Sequence, residues 1–333
     1  MSTCLVTGGG GFLGLAIVRK LIDRGDQVKV LSRRYHSCLD GLDVSFTAAD
    51  ITDAAAVAEA CQGCDTVFHV ASKAGIWGPD SEYEAINIDG CRNVIAGCQK
   101  HRVPVLVYTS TPSVIYHPQA KIENIQEDIP YPTQFECAYA RTKATAEREV
   151  LAANSAELAT VAIRPHLIYG PGDPNLIPRV LQRAKAGQLP QVGDGTNKVD
   201  ITYIDNAAQA HLLAAEHIQE AAGKAYFISD GKPVVLWSWI AELLRLVDVP
   251  PIKRRLSLGT TRAIGAAMEG VYKILRIKTE PKMTRFTAQQ LATSHYFNIS
   301  NARRDLHYEP EVSGEEGLKR LAEWVKATGI DNL

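Results

Sequence analysis

Tyr139 and Lys143, the ends of Tyr139-Ala-Arg-Thr-Lys143, stand one helical turn apart and so share a helix face. A phenol ordinarily keeps its proton at neutral pH, with a pKa near ~10, and a neighbouring ammonium favours the phenolate and draws that pKa down. The spacing therefore describes a pair able to pass one proton to or from a substrate oxygen. Such pairs recur by chance on exposed helices, so the weight of this one comes from its company. A glycine-rich turn, Thr7-Gly-Gly-Gly-Gly-Phe-Leu-Gly14, and a hydroxyl cluster, Thr109-Ser110-Thr111, precede it.

The turn falls between a strand pattern, Cys4–Thr7, and an amphipathic helical pattern, Phe12–Arg24. Glycines there permit a tight turn, close backbone approach to a pyrophosphate and close helix–strand contact. The helix start behind them offers free N–H groups to phosphate. Gly9-x-Gly11-x-x-Gly14 and Gly8-x-x-Gly11-x-x-Gly14 both fit a dinucleotide site, with Gly8, Gly11, Phe12, Leu13 and Gly14 as its contacts. The second strand, Val28–Leu31, runs out into Ser32-Arg33-Arg34, where an NAD site usually carries an acid for the ribose 2′-OH. A hydroxyl followed by two guanidinium groups suits a 2′-phosphate instead. The expected cofactor is NADP(H), with NAD(H) as the alternative.

The elements that must hold these groups alternate. Strand patterns at 44–48, 66–70, 105–109 and 160–164 are separated by helical patterns at 54–61, 84–101 and 139–154, which predicts an α/β, doubly wound parallel sheet. After Tyr169-Gly-Pro-Gly-Asp-Pro174 the alternation fails, and proline and glycine become frequent. Residues 1–170 and 205–232 are expected to form the cofactor domain, and 171–204 and 233–333 a smaller substrate domain. Val199–Ile204, the helical stretch Asn206–His217 and Ala225–Ser229 are expected to return to the sheet.

With 46% hydrophobic and 22% charged residues among 333, the chain reads as an ordinary globular protein. A net charge of −1 with no basic block points away from nucleic acid and from anionic membranes. No apolar run reaches the ~18 residues of a membrane span, and the start of the chain carries no leader pattern, so a cytoplasmic location is expected. Seven cysteines are then expected to stay reduced. Cys61-Gln-Gly-Cys64 lacks the further ligands of a zinc site, and no metal is expected. His69 and His166 have no partner at metal spacing and read as structural or substrate-adjacent. The stripe within Leu256–Ile277 reads equally as part of an apolar substrate pocket, as core packing or as a dimer face.

Thr-Gly-Gly-Gly-Gly-Phe-Leu-Gly14, Tyr-Ala-Arg-Thr-Lys143 and Arg164-Pro-His-Leu-Ile-Tyr-Gly-Pro-Gly-Asp173, in that order, make the chain resemble the extended short-chain dehydrogenase/reductases over nearly its whole length. Phe68-His-Val-Ala-Ser-Lys-Ala-Gly-Ile-Trp77 and Tyr108-Thr-Ser-Thr-Pro-Ser-Val114 resemble the 3β-hydroxysteroid dehydrogenase family, above all its bacterial branch that reduces 2-alkyl-3-oxoalkanoic acids in olefin biosynthesis. The resemblance implies a nicotinamide cofactor, a lipid-like keto or hydroxy substrate, a homodimer, and a catalytic set of Thr111, Tyr139 and Lys143. Ser110 and Ser113 stand in reserve, since serine is commoner than threonine at the hydroxyl position. By position it further implies that Lys143 binds the nicotinamide ribose and lowers the tyrosine pKa. Asp50 and Ile51 would meet the adenine, Val70 and Ala71 the adenosine ribose, and Pro165 would lie beside the nicotinamide amide. Asn87 is balanced between helix packing and a functional role. Pro112 and Ser113, where related dehydratases carry acids, disfavour dehydration.

Overall fold

The computed structural model describes residues 1–116 and 122–333. Seven strands form the central sheet: β1 (Thr3–Thr7), β2 (Gln27–Ser32), β3 (Val44–Ala48), β4 (Thr66–His69), β5 (Val105–Thr109), β6 (Ala159–Pro165) and β7 (Lys224–Ile228). All pair in parallel, in the spatial order β7-β6-β5-β4-β1-β2-β3. The order reverses between β1 and β4, which opens a crevice at the carboxyl ends of those strands, where doubly wound sheets bind ligands. Thr7, Ser32, His69, Thr109 and Pro165 are the last residues of their strands, so the expected site residues gather along one edge.

The strands are apolar on both faces because both faces are covered. Val6, Val30, Phe68, Val107 and Ile163 point into one core; Leu5, Leu31, Val67, Leu106 and Ala162 point into another. Five helices supply the cover: α1 (Phe12–Asp23), α2 (Ala54–Cys61), α3 (Gly90–His101), α4 (Ala138–Ala152) and α5 (Ile204–Glu216). α1 and α5 pack together on the first face; α2, α3 and α4 line the second. A smaller sheet of Ile122–Ile125, Lys198–Val199, Val234–Val235 and His295–Phe297 stands apart. Beyond it, α6 (Leu258–Ile274) packs on the helix Arg285–Ala292.

Three expectations need correction. The single helix at 84–101 is a turn of α-helix (Asp80–Tyr83), a π-helical stretch (Glu84–Asp89) and then α3; hydrophobic periodicity does not register a widened turn. Val199–Ile204 does not join the main sheet. It breaks into Lys198–Val199, which belongs to the smaller sheet, and Thr202–Tyr203, which pairs with Ile168–Tyr169. Its excursion returns through α5 and β7 alone. Finally, β6 includes Pro165 as its last residue, opposite Ile228, rather than stopping before it.

Candidate active site

At the crevice, the glycine turn is built by close contact. Gly8 has φ +71°, a left-handed conformation that favours glycine, and a Cβ on it would meet the Ala71 backbone at 3.1 Å. A Cβ on Gly14 would lie 2.2 Å from the Gly8 carbonyl oxygen, so α1 can begin this close to β1 only with glycine there. The Gly11 N–H donates to that same carbonyl at 2.9 Å. No side chain caps the start of α1, which leaves its first N–H groups facing the crevice, and the cradle fits a pyrophosphate.

Thr7 ties this turn to the end of β4. Its buried hydroxyl oxygen accepts the Val70 and Ala71 N–H groups at 3.1 Å each and lies 2.8 Å from His69 Nδ1. With two donors already on the oxygen, the hydroxyl proton goes to Nδ1, which leaves His69 neutral with its proton on Nε2. Burial, and then Lys143, press the His69 pKa down to about 3, consistent with that tautomer. Val70 and Ala71 are thereby held against Gly8, as a ribose-side wall requires.

At the end of β2, the Ser32 hydroxyl donates to the Arg34 carbonyl at 2.9 Å. Arg33 and Arg34 are exposed and, among the described residues, make no ion pair. Asp50 accepts both the N–H (3.0 Å) and the hydroxyl (2.9 Å) of Thr52, which hold its carboxyl below the usual range. Ile51 is buried beneath Gly90, its carbonyl accepting from Asn93 at 3.0 Å. Pro165 lies at the end of β6, where the next N–H, that of His166, donates to the Ile228 carbonyl at 3.2 Å.

The catalytic candidates meet where β5 ends and α4 begins. Thr111 caps the short 3-10 helix Pro112–Ile115, accepting the Ser113 N–H at 3.3 Å. Its hydroxyl donates to Ser113 Oγ at 3.2 Å, and its side chain lies near enough to the Tyr139 phenol to act on its pKa. Ser110, by contrast, is buried with its hydroxyl unpartnered. Lys143 is buried, its Nζ donating to the Thr109 carbonyl at 2.5 Å and sitting 4.1 Å from the centre of the Tyr108 ring.

The pKa expectation is corrected here. Burial pushes the Tyr139 phenol up to about 12, with only the nearby Thr111 side chain pulling it back. The lysine is committed to a backbone carbonyl instead of the phenol, and burial lowers its own pKa to about 8.

Supporting groups surround this set, and two of them, His211 and Glu147, escape sequence reasoning. His211, fully buried on α5, lies 2.8 Å from Thr109 Oγ1 through Nε2, while its Nδ1 donates to the Ala207 carbonyl at 2.7 Å. A carbonyl only accepts, so the proton is on Nδ1 and the Thr109 hydroxyl donates to Nε2. Asn87, on the π-helical stretch, accepts the Lys73 N–H at 2.7 Å and donates to the Lys73 carbonyl (3.2 Å) and to Thr142 Oγ1 (3.0 Å). It joins the loop after β4 to α4, a packing role. Glu147, one turn beyond Lys143, takes a buried two-pronged contact from Arg164 at 2.6 and 2.9 Å. His166 turns away from the crevice to meet His295 Nδ1 at 2.7 Å. A cleft of about 520 Å³ flanks the start of α4, bounded by Trp77, Phe135, Cys137, Tyr272 and Ile277.

A parallel doubly wound sheet, a glycine cradle at its switch point and a hydroxyl–tyrosine–lysine set on the next edge define an extended short-chain dehydrogenase/reductase. Residues 5–258 match the 3-beta hydroxysteroid dehydrogenase/isomerase family. The chain belongs to that family, and it is an NAD(P)-dependent oxidoreductase. It is 49% identical to a 2-alkyl-3-oxoalkanoate reductase of Stenotrophomonas maltophilia, over 95% of this chain and 97% of the relative. It is 35% identical to the decarboxylating sterol-4-alpha-carboxylate 3-dehydrogenase of Schizosaccharomyces pombe, over 98% of each. Its fold matches that of a UDP-glucuronic acid 4-epimerase from Bacillus cereus in complex with NAD, with TM-score 0.75, 21% identity, and 98% and 99% of the two chains covered.

Proposed function

We propose that this protein uses NADPH to reduce the 3-oxo group of a long-chain 2-alkyl-3-oxoalkanoic acid to the 3-hydroxy acid, with Tyr139 as the proton donor. The carrying observation is that Thr111, just past the end of β5, and Tyr139, at the start of α4, come together beside the buried Lys143, in a chain about half identical to a reductase named for that substrate. The bound nicotinamide supplies the hydride to the carbonyl carbon. Thr111 and Tyr139 hydrogen-bond the carbonyl oxygen, and Tyr139 releases its proton to that oxygen as negative charge develops. Hydride and proton together convert C=O to CH–OH. A phenol held at about 12 by burial enters each cycle protonated, as reduction requires. Lys143, cationic below about 8, would hold the nicotinamide ribose.

Arg33 and Arg34, exposed and without ion pairs among the described residues, support a 2′-phosphate on the adenosine ribose and so NADP(H) over NAD(H). A second reading, oxidation of a 3-hydroxysteroid, is favoured by the sterol-carboxylate relative. The two relatives' names share one relation: the reacting oxygen sits on the carbon next to the carboxylate-bearing carbon. A β-oxo or β-hydroxy acid is therefore the common substrate class.

The test is NADPH oxidation followed against 2-alkyl-3-oxo acids, keto steroids and nucleotide sugars. Turnover of the oxo acids is expected; turnover of nucleotide sugars alone would overturn the reading. Equal efficiency with NADH would remove the role assigned to Arg33 and Arg34.

A further inference from the structure

Glycines follow one another from Gly8 to Gly11, and the two dinucleotide spacings use Gly8 or Gly9 with Gly11 and Gly14. Neither spacing accounts for Gly10. Its neighbour in space does. A Cβ on Gly10 would lie 2.5 Å from Cδ2, 2.7 Å from Cγ and 2.9 Å from Cβ of His36, so the imidazole rests directly on the glycine turn. Cys38 pins the same loop a little further on, its Sγ–H donating to the Gly10 carbonyl at 3.5 Å. The segment after β2 therefore folds back over the pyrophosphate cradle.

The cradle and the end of β2 meet at this corner. The Gly8 N–H donates to the Leu31 carbonyl at 2.7 Å, and a Cβ on Gly9 would meet the Val30 side chain at 2.8 Å. An adenosine ribose with its pyrophosphate on the turn and its 2′ oxygen toward the end of β2 must cross it. The Ser32 hydroxyl is spent on the Arg34 carbonyl at 2.9 Å, which leaves the 2′ position to other donors. His36 is half-buried, and neither ring nitrogen has a hydrogen-bond partner among the described residues. Nε2 is bonded to Cδ2, the ring atom nearest Gly10. Packing on the turn would be served as well by a phenyl ring; the imidazole adds a polar edge for which the protein supplies no partner.

We propose that His36 is a third ligand of the 2′-phosphate, donating from Nε2 beside the Arg33 and Arg34 guanidinium groups, and that Gly10 is glycine in order to seat the ring. A phosphate presents three strong acceptor oxygens, and an imidazole keeps at least one N–H whatever its charge. The arginines are long and exposed, whereas the ring is held by its contact with the turn. Its donor is in place before the cofactor arrives, which lowers the cost of ordering it. This role rests on the NADP(H) reading and adds to it a residue that discriminates phosphate from hydroxyl.

The test is fluorescence titration of the full chain with NADPH and with NADH, which requires no substrate. The parent is expected to favour NADPH. His36→Phe keeps a ring on Gly10 and removes both nitrogens, so it should weaken NADPH about tenfold or more, the worth of one hydrogen bond to a charged group, and leave NADH almost unmoved. His36→Gln, which restores an N–H, should recover part of that loss. Gly10→Ala, whose methyl must displace the ring, should lower the ratio of NADPH to NADH affinity in the parent but not in a His36→Phe background. Equal weakening of both cofactors by His36→Phe would reduce the ring to packing and overturn the proposal, as would no weakening of either. If Arg33→Ser with Arg34→Ser lowers the preference for NADPH while His36→Phe does not, the role of His36 alone falls. A parent that binds NADH as tightly as NADPH would sink the NADP(H) reading and this role with it.

Discussion

Tyr139 keeps its proton because burial raises its pKa to about 12, and Thr111 offsets only part of that rise. Tyr139→Phe removes the proton and keeps the ring, so turnover should fall ~10²–10⁴-fold with cofactor affinity nearly unchanged, read by steady-state kinetics and a cofactor titration. Lys143 has the opposite problem, since burial disfavours its charge and lowers its pKa to about 8. It is cationic below that value and neutral above it, so activity that depends on the cation should decline as pH rises through about 8. The stability sign runs the other way. Between about 8 and the ordinary lysine value of 10.5 the unfolded chain binds more protons, so this group makes stability climb with pH across that window. His211 acts one step back, as a positioning residue: it holds the Thr109 hydroxyl while the Thr109 carbonyl holds Lys143. His211→Phe should loosen that carbonyl and move the basic limb of the rate profile to lower pH. A limb that stays in place would reduce His211 to packing.

At the scale of elements, contact between secondary structures decides how well the site is held. α4 carries Tyr139 and Lys143, and the Glu147–Arg164 pair fixes it to β6 with side chains only 0% and 3% exposed. Removing one partner strands a buried charge, so Glu147→Ala should cost about 3–5 kcal/mol, measurable as a lowered denaturant midpoint. The exposed pair Arg245–Glu242, treated alike, should leave that midpoint almost unmoved, because solvent screens it. α1 meets β1 through the glycine turn, and Gly14→Ala would push a methyl into the Gly8 carbonyl. Loss of stability together with cofactor affinity is expected, seen as a lower melting temperature that added NADPH no longer raises. The π-helical stretch before α3 places Asn87 where it binds both the backbone N–H and the carbonyl of Lys73.

For the whole molecule, the proposed preference for NADPH rests on the exposed charge of Arg33 and Arg34 at one rim of the sheet. Charge-assisted hydrogen bonds contribute about 1.5–3 kcal/mol each, so Arg33→Ser with Arg34→Ser should raise KM for NADPH by more than ~10-fold and leave KM for NADH almost unmoved. Much of this molecule is legible in the chain because the rules involved are local. Alternating apolar runs specify strands buried on both faces, glycines at 8, 11 and 14 specify a turn that no side chain can enter, and a four-residue step puts Tyr139 and Lys143 on one face of α4. Other features depend on neighbours that sequence distance conceals. His211 reaches Thr109 across 102 residues, and Thr7 reaches His69 across 62. Val199–Ile204, strand-like in composition, is divided between two sheets by what lies beside it. The stripe on α6 reads the same in sequence whether it faces a core or water, and only the packing shows that it faces out. The sequence by itself determined the fold class and the types of the reacting groups, since backbone conformation and side-chain chemistry are properties of short segments. Only the tertiary structure decided their protonation, because burial belongs to the whole fold: it raised the phenol, lowered the lysine and gave the Lys143 ammonium a carbonyl in place of the tyrosine.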